Sequence, residues 1–418
     1  MFGSETEYRQ ALREHLKREV YPRAHRIESG GAFPHDLVRG LGAAGFFAPC
    51  LRHDAPSSQV PLEVGFFRVL IEELAKTGCF GLTLSVSMHV GVFTPLVARL
   101  AHPAQRDALV VRAVAGEILG TLAATELESA GSDLMGMQTA AEFRDGGIGL
   151  TGSKHYITNA AVADYAVVFA RWRAGRHFTN FCALLVPLEA PGVERARIPM
   201  AVMTSAAVSR MRFDGVELPP TALLGRKELG IRYFLEHIAF ERLSGGIWAV
   251  AAAEQCLEEA QRHAHARVVG EETLWERGSV RHRVAEAVVQ VTLLRGLVDR
   301  VVEGARRTGT LDPLESAVMK ASLGPCMESV IGRCLQLQGA RGLEADSLLL
   351  RLLNDFRVFG VAGGSTETML DVIAEQWAQR AAHAAPPPVP LFVPPAGAEP
   401  EPRAEPRPAA DAAAVAIA

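Results

Sequence analysis

The chain has no CxxC pair, no GxGxxG fingerprint and no basic run interleaved with aromatic residues, and each absence closes off a class of function. Its six cysteines (Cys50, Cys79, Cys182, Cys256, Cys326 and Cys334) are scattered, which argues against a zinc ribbon or a disulfide framework. Reduced, mostly buried thiols fit better and predict a cytoplasmic compartment. His263 and His265 stand two apart in a helical pattern, so they point to different faces and make a poor metal pair. No metal site is expected. Without GxGxxG, any bound dinucleotide must rest on something other than a Rossmann unit. A net charge of −4 and a pI near 6.4 leave no electrostatic footprint for nucleic acid. The opening stretch, Met1 to Leu16, is charged and lacks the apolar core of a signal peptide. No uninterrupted apolar run approaches the roughly 18 residues a membrane helix needs, so membrane insertion is not expected either.

What is present is the composition of a folded protein: 49% hydrophobic and 22% charged residues over a length that calls for two or three cores. Residues 1–116 carry apolar side chains at three- and four-residue spacing, as in VGFFRVLIEELAKTG, and predict a helical domain. Residues 117–230 change to short β-rich runs such as DYAVVFARWR and NFCALLVPLE, divided by turn formers including Asp145-Gly146-Gly147 and Pro191-Gly192, and predict a sheet domain. Residues 231–384 return to long helical patterns and predict a bundle of four or more helices. Residues 385–418 are rich in Pro and Ala and predict a disordered tail. The fold class is α+β, in the order helices, sheet, helices.

Three local patterns carry the chemistry. The first is Thr125-Glu126 followed by Ala130-Gly131-Ser132-Asp133. The second is Gly152-Ser153-Lys154-His155-Tyr156-Ile157-Thr158-Asn159, followed by FDGVELPPTALLG. The third is the series Gln336-Leu337-Gln338-Gly339-Ala340-Arg341-Gly342, Asn354-Asp355-Phe356-Arg357 and Gly363-Gly364-Ser365-Thr366-Glu367. Read singly, they are a capped strand-to-loop transition, good strand chemistry and a glycine turn between helices. Read together and in order, they resemble the acyl-CoA dehydrogenase family over nearly everything before the tail. The departures are Leu127-Glu128-Ser129 where the family has a Pro and a Gly, which adds one residue, Tyr156 where Trp is usual, Ala340 for Gly and Asn354 for Arg. The resemblance implies an N-terminal helical domain, a central β-sheet domain and a C-terminal four-helix bundle, with FAD between sheet and bundle. It assigns Ala124, Thr125, Tyr156, Ile157, Thr158, Ser365 and Glu367 to the flavin, and Ser132 to the pantetheine or phosphate arm of a thioester. It further implies that Gln336, Gly339, Ala340 and Arg267 grip the FAD pyrophosphate of a neighbouring subunit, hence a dimer or a dimer of dimers.

Desaturating an acyl thioester between its α and β carbons needs a carboxylate to remove the α proton. Most members of the family place it at the position that is Gly363 here, which has no side chain. A second group within the family places it just before the Arg that contacts the thioester arm, which here is Glu241 followed by Arg242. Glu241 is flanked by Ile238, Phe240, Leu243 and Ile247; burial on such a face would raise its pKa and suit proton abstraction near neutrality. The bland alternative is an exposed or mutually paired Glu-Arg couple. Gly363 would leave room for a branched or bulky acyl group, and its backbone N–H would still serve the thioester carbonyl. Ala239 stands where the family commonly has an acidic residue facing the CoA arm, so CoA and an acyl carrier protein both stay open as the carrier. The expected electron acceptor is an electron-transfer flavoprotein or oxygen. Two rivals stay open beside the dehydrogenase: a flavin monooxygenase on the same scaffold, and a non-catalytic binding scaffold without FAD.

Overall fold

The computed structural model describes residues 2–129 and 131–383, so Ala130 of the first pattern and the tail expected over 385–418 lie outside the described residues. The first layer is helical: α1 (Glu5–Glu19), α2 (Ala24–Gly30), α3 (His35–Ala43), α4 (Val64–Ala75), α5 (Phe80–Val86), α6 (Thr94–Leu100) and α7 (Pro103–Val114). α1 shows why these residues fold locally. The Ser4 hydroxyl accepts from the Glu7 N–H, acidic residues occupy the first turn and basic ones the last, and Tyr8, Leu12 and Leu16 bury one stripe.

α5 and α6 are joined by a π-helical segment, Ser87–Phe93, into one run from Phe80 to Leu100. This run corrects the sequence reading. It is long and apolar enough to cross a membrane, and the sequence reading passed over it because single polar residues such as Ser85, Ser87 and His89 interrupt it. Ser87 and His89 are hydrogen-bonded inside the protein, the Ser85 hydroxyl is buried without a partner, and the run's most apolar window is 94% buried in the protein's own core.

The central layer is a seven-stranded sheet built from β1 (Gly120–Ala123), β2 (Ala140–Arg144), β3 (Gly147–Ile157), β4 (Tyr165–Arg171), β5 (Phe181–Pro187), β6 (Val193–Arg197) and β7 (Ser209–Leu218). β4 pairs parallel with β1 and antiparallel with β5, while β3 pairs antiparallel with β2 and β7. β6, which lacks a clear apolar alternation, was not legible in the sequence and lies against β7 at the sheet's edge.

The third layer comprises α8 (Gly230–Ala266), α9 (Gly278–Thr308), α10 (Pro313–Leu337), α11 (Leu348–Asp355) and α12 (Thr366–His383). Between α8 and α9 a two-residue ladder, β8 (Val268–Val269) with β9 (Glu272–Thr273), replaces what the sequence presented as helical pattern. One core runs through the first and third layers. In it Phe80, Trp248, Phe356 and Phe359 stack edge-on or tilted at 5.0–5.6 Å, which pins the segment after α11 against α8.

Candidate active site

β3 loses register with β7 between Lys154 and Ile157, and Tyr156 sits in that irregularity with φ of 57°. A left-handed conformation is costly for an aromatic residue. Here it swings the ring outward, leaving Tyr156 54% exposed, as bulges beside functional sites commonly do. Around it the backbone is tied down: His155 N–H donates to the Thr125 carbonyl at 2.8 Å, and the Thr121 hydroxyl to the Thr158 carbonyl at 2.5 Å. The structure therefore brings Ala124 and Thr125 alongside Tyr156, Ile157 and Thr158. The Thr125 and Thr158 hydroxyls are half-buried and have no hydrogen-bond partner among the described residues. Ser132 lies exposed in the adjoining loop.

Beneath this strand end is a pair that the sequence reading quoted but did not assign. Lys154 is completely buried, and its ammonium donates to Glu126 Oε1 and to the Ala124 carbonyl, both at 2.9 Å. Glu126 in turn accepts from the Gln138 and Thr139 N–H groups at 2.6 and 2.9 Å. Burial pulls Lys154 down to about 8, with Glu126 opposing that shift. This pair fixes the Thr125 end of the strand to the β2 side of the sheet.

The second cluster lies where α8 meets the segment leading into α12. Glu241 is held in α8 with its Oε2 buried and without a partner. A Cβ built on Gly363 would lie 2.7 Å from that same oxygen, so the missing side chain and the Glu241 carboxylate address one place. Gly363 and Gly364 have φ of 69° and 96°, and a Cβ on Gly364 would crowd Met369 at 2.8 Å and Arg242 at 3.1 Å. Arg242 Nε donates to the Gly363 carbonyl at 2.7 Å, while the Gly363 N–H makes no hydrogen bond among the described residues. Burial raises the Glu241 pKa, opposed by the positive charges of Lys320 and Arg242. The exposed or mutually paired Glu-Arg couple that the sequence left open is not what forms: the two make no ion pair, Arg242 turns to the Gly363 carbonyl, and Glu241 Oε2 is buried without a partner.

The two clusters are linked through the first layer. Ser244, one turn on from Glu241 and donating to its carbonyl, shares a 2.5 Å hydrogen bond with Ser87. Two residues earlier, the Ser85 carbonyl accepts from the Asn159 amide at 3.1 Å, next to Thr158. Ser365 caps α12, accepting from the Thr368 N–H at 3.2 Å, and Glu367 is exposed in its first turn.

Arg267, Gln336, Gly339 and Ala340 are not brought to Glu241. All four are exposed, and Arg267 ends α8 in extended backbone. Along α10, Gln336 lies about 24 Å from Lys320 at the helical rise. Sequence reasoning missed Lys320, whose signal was a lone lysine between Val318, Met319 and Ala321 in an apolar helical run. It also missed a second buried carboxylate, Asp355. The Met203 N–H donates to its Oδ1 at 2.7 Å, its Oδ2 has no partner, and burial raises it to about 6. Asp355 borders a cavity of about 210 Å³ together with His25, Ser29, Arg351 and Asn354, away from Glu241.

Sequence profiles of the acyl-CoA dehydrogenase N-terminal, middle and C-terminal domains match residues 4–117, 121–216 and 228–378. The chain belongs to the acyl-CoA dehydrogenase family. It is 26% identical over 382 residues to the mitochondrial long-chain specific acyl-CoA dehydrogenase of Rattus norvegicus, covering 90% of this chain and 87% of the relative. It is 27% identical over 376 residues to the acyl-[acyl-carrier-protein] dehydrogenase MbtN of Mycolicibacterium paratuberculosis, covering 88% and 92%. The crystal structure of an acyl-CoA dehydrogenase from Geobacillus kaustophilus superposes with a TM-score of 0.83 at 26% identity, over 90% of this chain and 98% of that one. The family consists of FAD-dependent oxidoreductases. The strand end fits that cofactor: an outward aromatic ring beside two unused hydroxyls offers a flat surface and polar contacts at its edge.

Proposed function

We propose that the chain desaturates an acyl thioester between its α and β carbons, with Glu241 removing the α proton. The observation that carries this reading is the half-buried Glu241 carboxylate, whose Oε2 is buried and unpartnered and lies where a side chain at Gly363 would begin. A base held dry with a free oxygen has its proton affinity raised by desolvation and spends none of it on a competing donor. The proton leaving the α carbon passes to Glu241, and the negative charge that develops on the thioester carbonyl is met by the free Gly363 N–H. Arg242, fixed to the Gly363 carbonyl, holds that N–H in place. Bound FAD supplies the acceptor for the hydride from the β carbon. Ala124, Thr125, Tyr156, Ile157 and Thr158 would hold the cofactor from the sheet, and Ser365 and Glu367 from the start of α12.

A base on α8 rather than at position 363 favours a branched or bulky acyl group, and Ser132 in the exposed loop would meet the pantetheine arm. That arm is common to CoA and to acyl carrier proteins, and Ala239 together with the likeness to MbtN supports the carrier protein as an alternative to CoA. Arg267, Gln336, Gly339 and Ala340, exposed and away from Glu241, would serve the FAD of a neighbouring subunit, and the active form would then be a dimer or tetramer. The exposed apolar face of α9, with Val288, Val289 and Leu293, fits such an assembly. Electrons leave to an electron-transfer flavoprotein or to oxygen.

The test is anaerobic bleaching of the flavin by a panel of acyl-CoA and acyl-carrier thioesters, with Glu241→Gln alongside. Glu241→Gln should slow reduction at least ~100-fold, the usual worth of a positioned general base. A wild-type protein that holds FAD and is reduced by no thioester would overturn the assignment.

A further inference from the structure

Lys320 is a buried ammonium that no ion pair explains. It lies in α10, 2% exposed, with no carboxylate oxygen within salt-bridge distance among the described residues. Among the described residues its one hydrogen bond runs at 2.5 Å to the carbonyl of Phe359, at the start of the short segment that ends in Gly363 and Gly364. The far end of that segment is held by Arg242 through the Gly363 carbonyl. Two cations from two helices therefore grip one loop, and the loop lies against Glu241.

Resting on the reading of Glu241 as the base, we propose that Lys320 is a positioning residue for it. Its ammonium anchors the loop that carries Gly363, and with Arg242 it supplies the positive charge that Glu241 faces. Lys320 and Arg242 are the charges that oppose the burial of Glu241. Residues 360–364 carry no charge. In the π-helical segment, His89 is turned to the Ala113 carbonyl and the Gly120 N–H. On α4, Arg68, Glu72 and Glu73 are engaged with Arg9, Arg13, Lys76 and Asp299, and on α9 Arg295 is engaged with Glu254.

The coupling acts in both directions. Lys320 works against the burial that raises Glu241, and Glu241 works against the burial that brings Lys320 down to about 8. A general base works only when deprotonated, so Lys320 keeps the base ionised without donating a hydrogen bond that would blunt it. A full ion pair would occupy the oxygen that must take the proton. A cation held off on a backbone carbonyl does not.

The experiment uses the full-length protein and reads Glu241 directly, through the protonated-carboxyl infrared band that Glu241→Gln abolishes. The midpoint of that band is followed against pH in wild type, Lys320→Met and Lys320→Gln, with FAD content and flavin reduction measured in parallel. Both variants should raise the midpoint by about one unit or more, the effect of losing an opposite charge nearby. Reduction below the midpoint should slow about tenfold per unit. Lys320→Gln retains a donor for Phe359, so it gives the answer where Lys320→Met does not fold. An unmoved midpoint in a folded variant would overturn the role of Lys320 while leaving Glu241 as the base. Wild-type reduction rates in Glu241→Gln would instead overturn the base and, with it, this inference.

Discussion

Replacing Gly363 with Ala exchanges one hydrogen for a methyl group, yet two separate costs follow from where that carbon must go. The first is conformational. At φ of 69° an L side chain pays about 1–2 kcal/mol, which lowers the melting temperature by a few degrees in a chain of this size. The second is local. The new Cβ would lie 2.7 Å from Glu241 Oε2, closer than real contacts allow, so the carboxylate must move by several tenths of an ångström or more. A misplacement approaching 1 Å at a reacting group costs on the order of 100-fold in rate. Gly363→Ala should therefore reduce its flavin about 10- to 100-fold more slowly with thioester, at unchanged FAD content. Gly45→Ala is the control, because Gly45 has φ of 83° and nothing within 4 Å of its Cβ position. It should show a similar drop in melting temperature with no loss of rate. Stopped-flow reduction and thermal melts on both proteins decide the matter. If Gly363→Ala melts lower but reduces at the wild-type rate, Glu241 and position 363 do not address the same reacting atom.

Asp355→Asn should stabilise the protein at pH 8 and not at pH 4. The carboxyl is raised from 3.8 to about 6, so the folded state holds its proton where the unfolded chain has lost it. Stability therefore falls as pH rises from about 4 to about 6 and stays reduced above, by on the order of 2–3 kcal/mol. An amide keeps the acceptor for Met203 and removes the charge; an equal shift in melting temperature at both pH values would refute this account. Lys154→Met leaves Glu126 charged and buried, and should cost about 3–5 kcal/mol and lower the flavin-to-protein ratio. Adding Glu126→Gln should recover part of the stability, and a double variant no more stable than Lys154→Met would show that the pair is not what holds the strand end.

The order of helices, sheet and helices could be read because each layer repeats its own period over many residues, and errors in one turn do not erase it. Short or one-sided elements could not be read. β6 fully buries none of its side chains and so carries no alternation, and the β8–β9 ladder is made by its turn rather than by any apolar face. The apolar run from Phe80 to Leu100 was misjudged for the opposite reason, since polar residues such as Ser87 and His89 looked like interruptions and are in fact hydrogen-bonded in the core. At the site, the sequence named Glu241 and Gly363 separately and could only link them by resemblance. Their meeting depends on 121 residues of intervening chain returning to one point, which no local pattern encodes. Lys320 was harder still, because its partner is a backbone carbonyl, and every residue has one of those. A side chain that acts through the main chain leaves no complementary letter in the sequence, only a charge where burial makes charge expensive. A lone lysine in an otherwise apolar helical stretch is that signal, and here it marks the loop on which the proposed base depends.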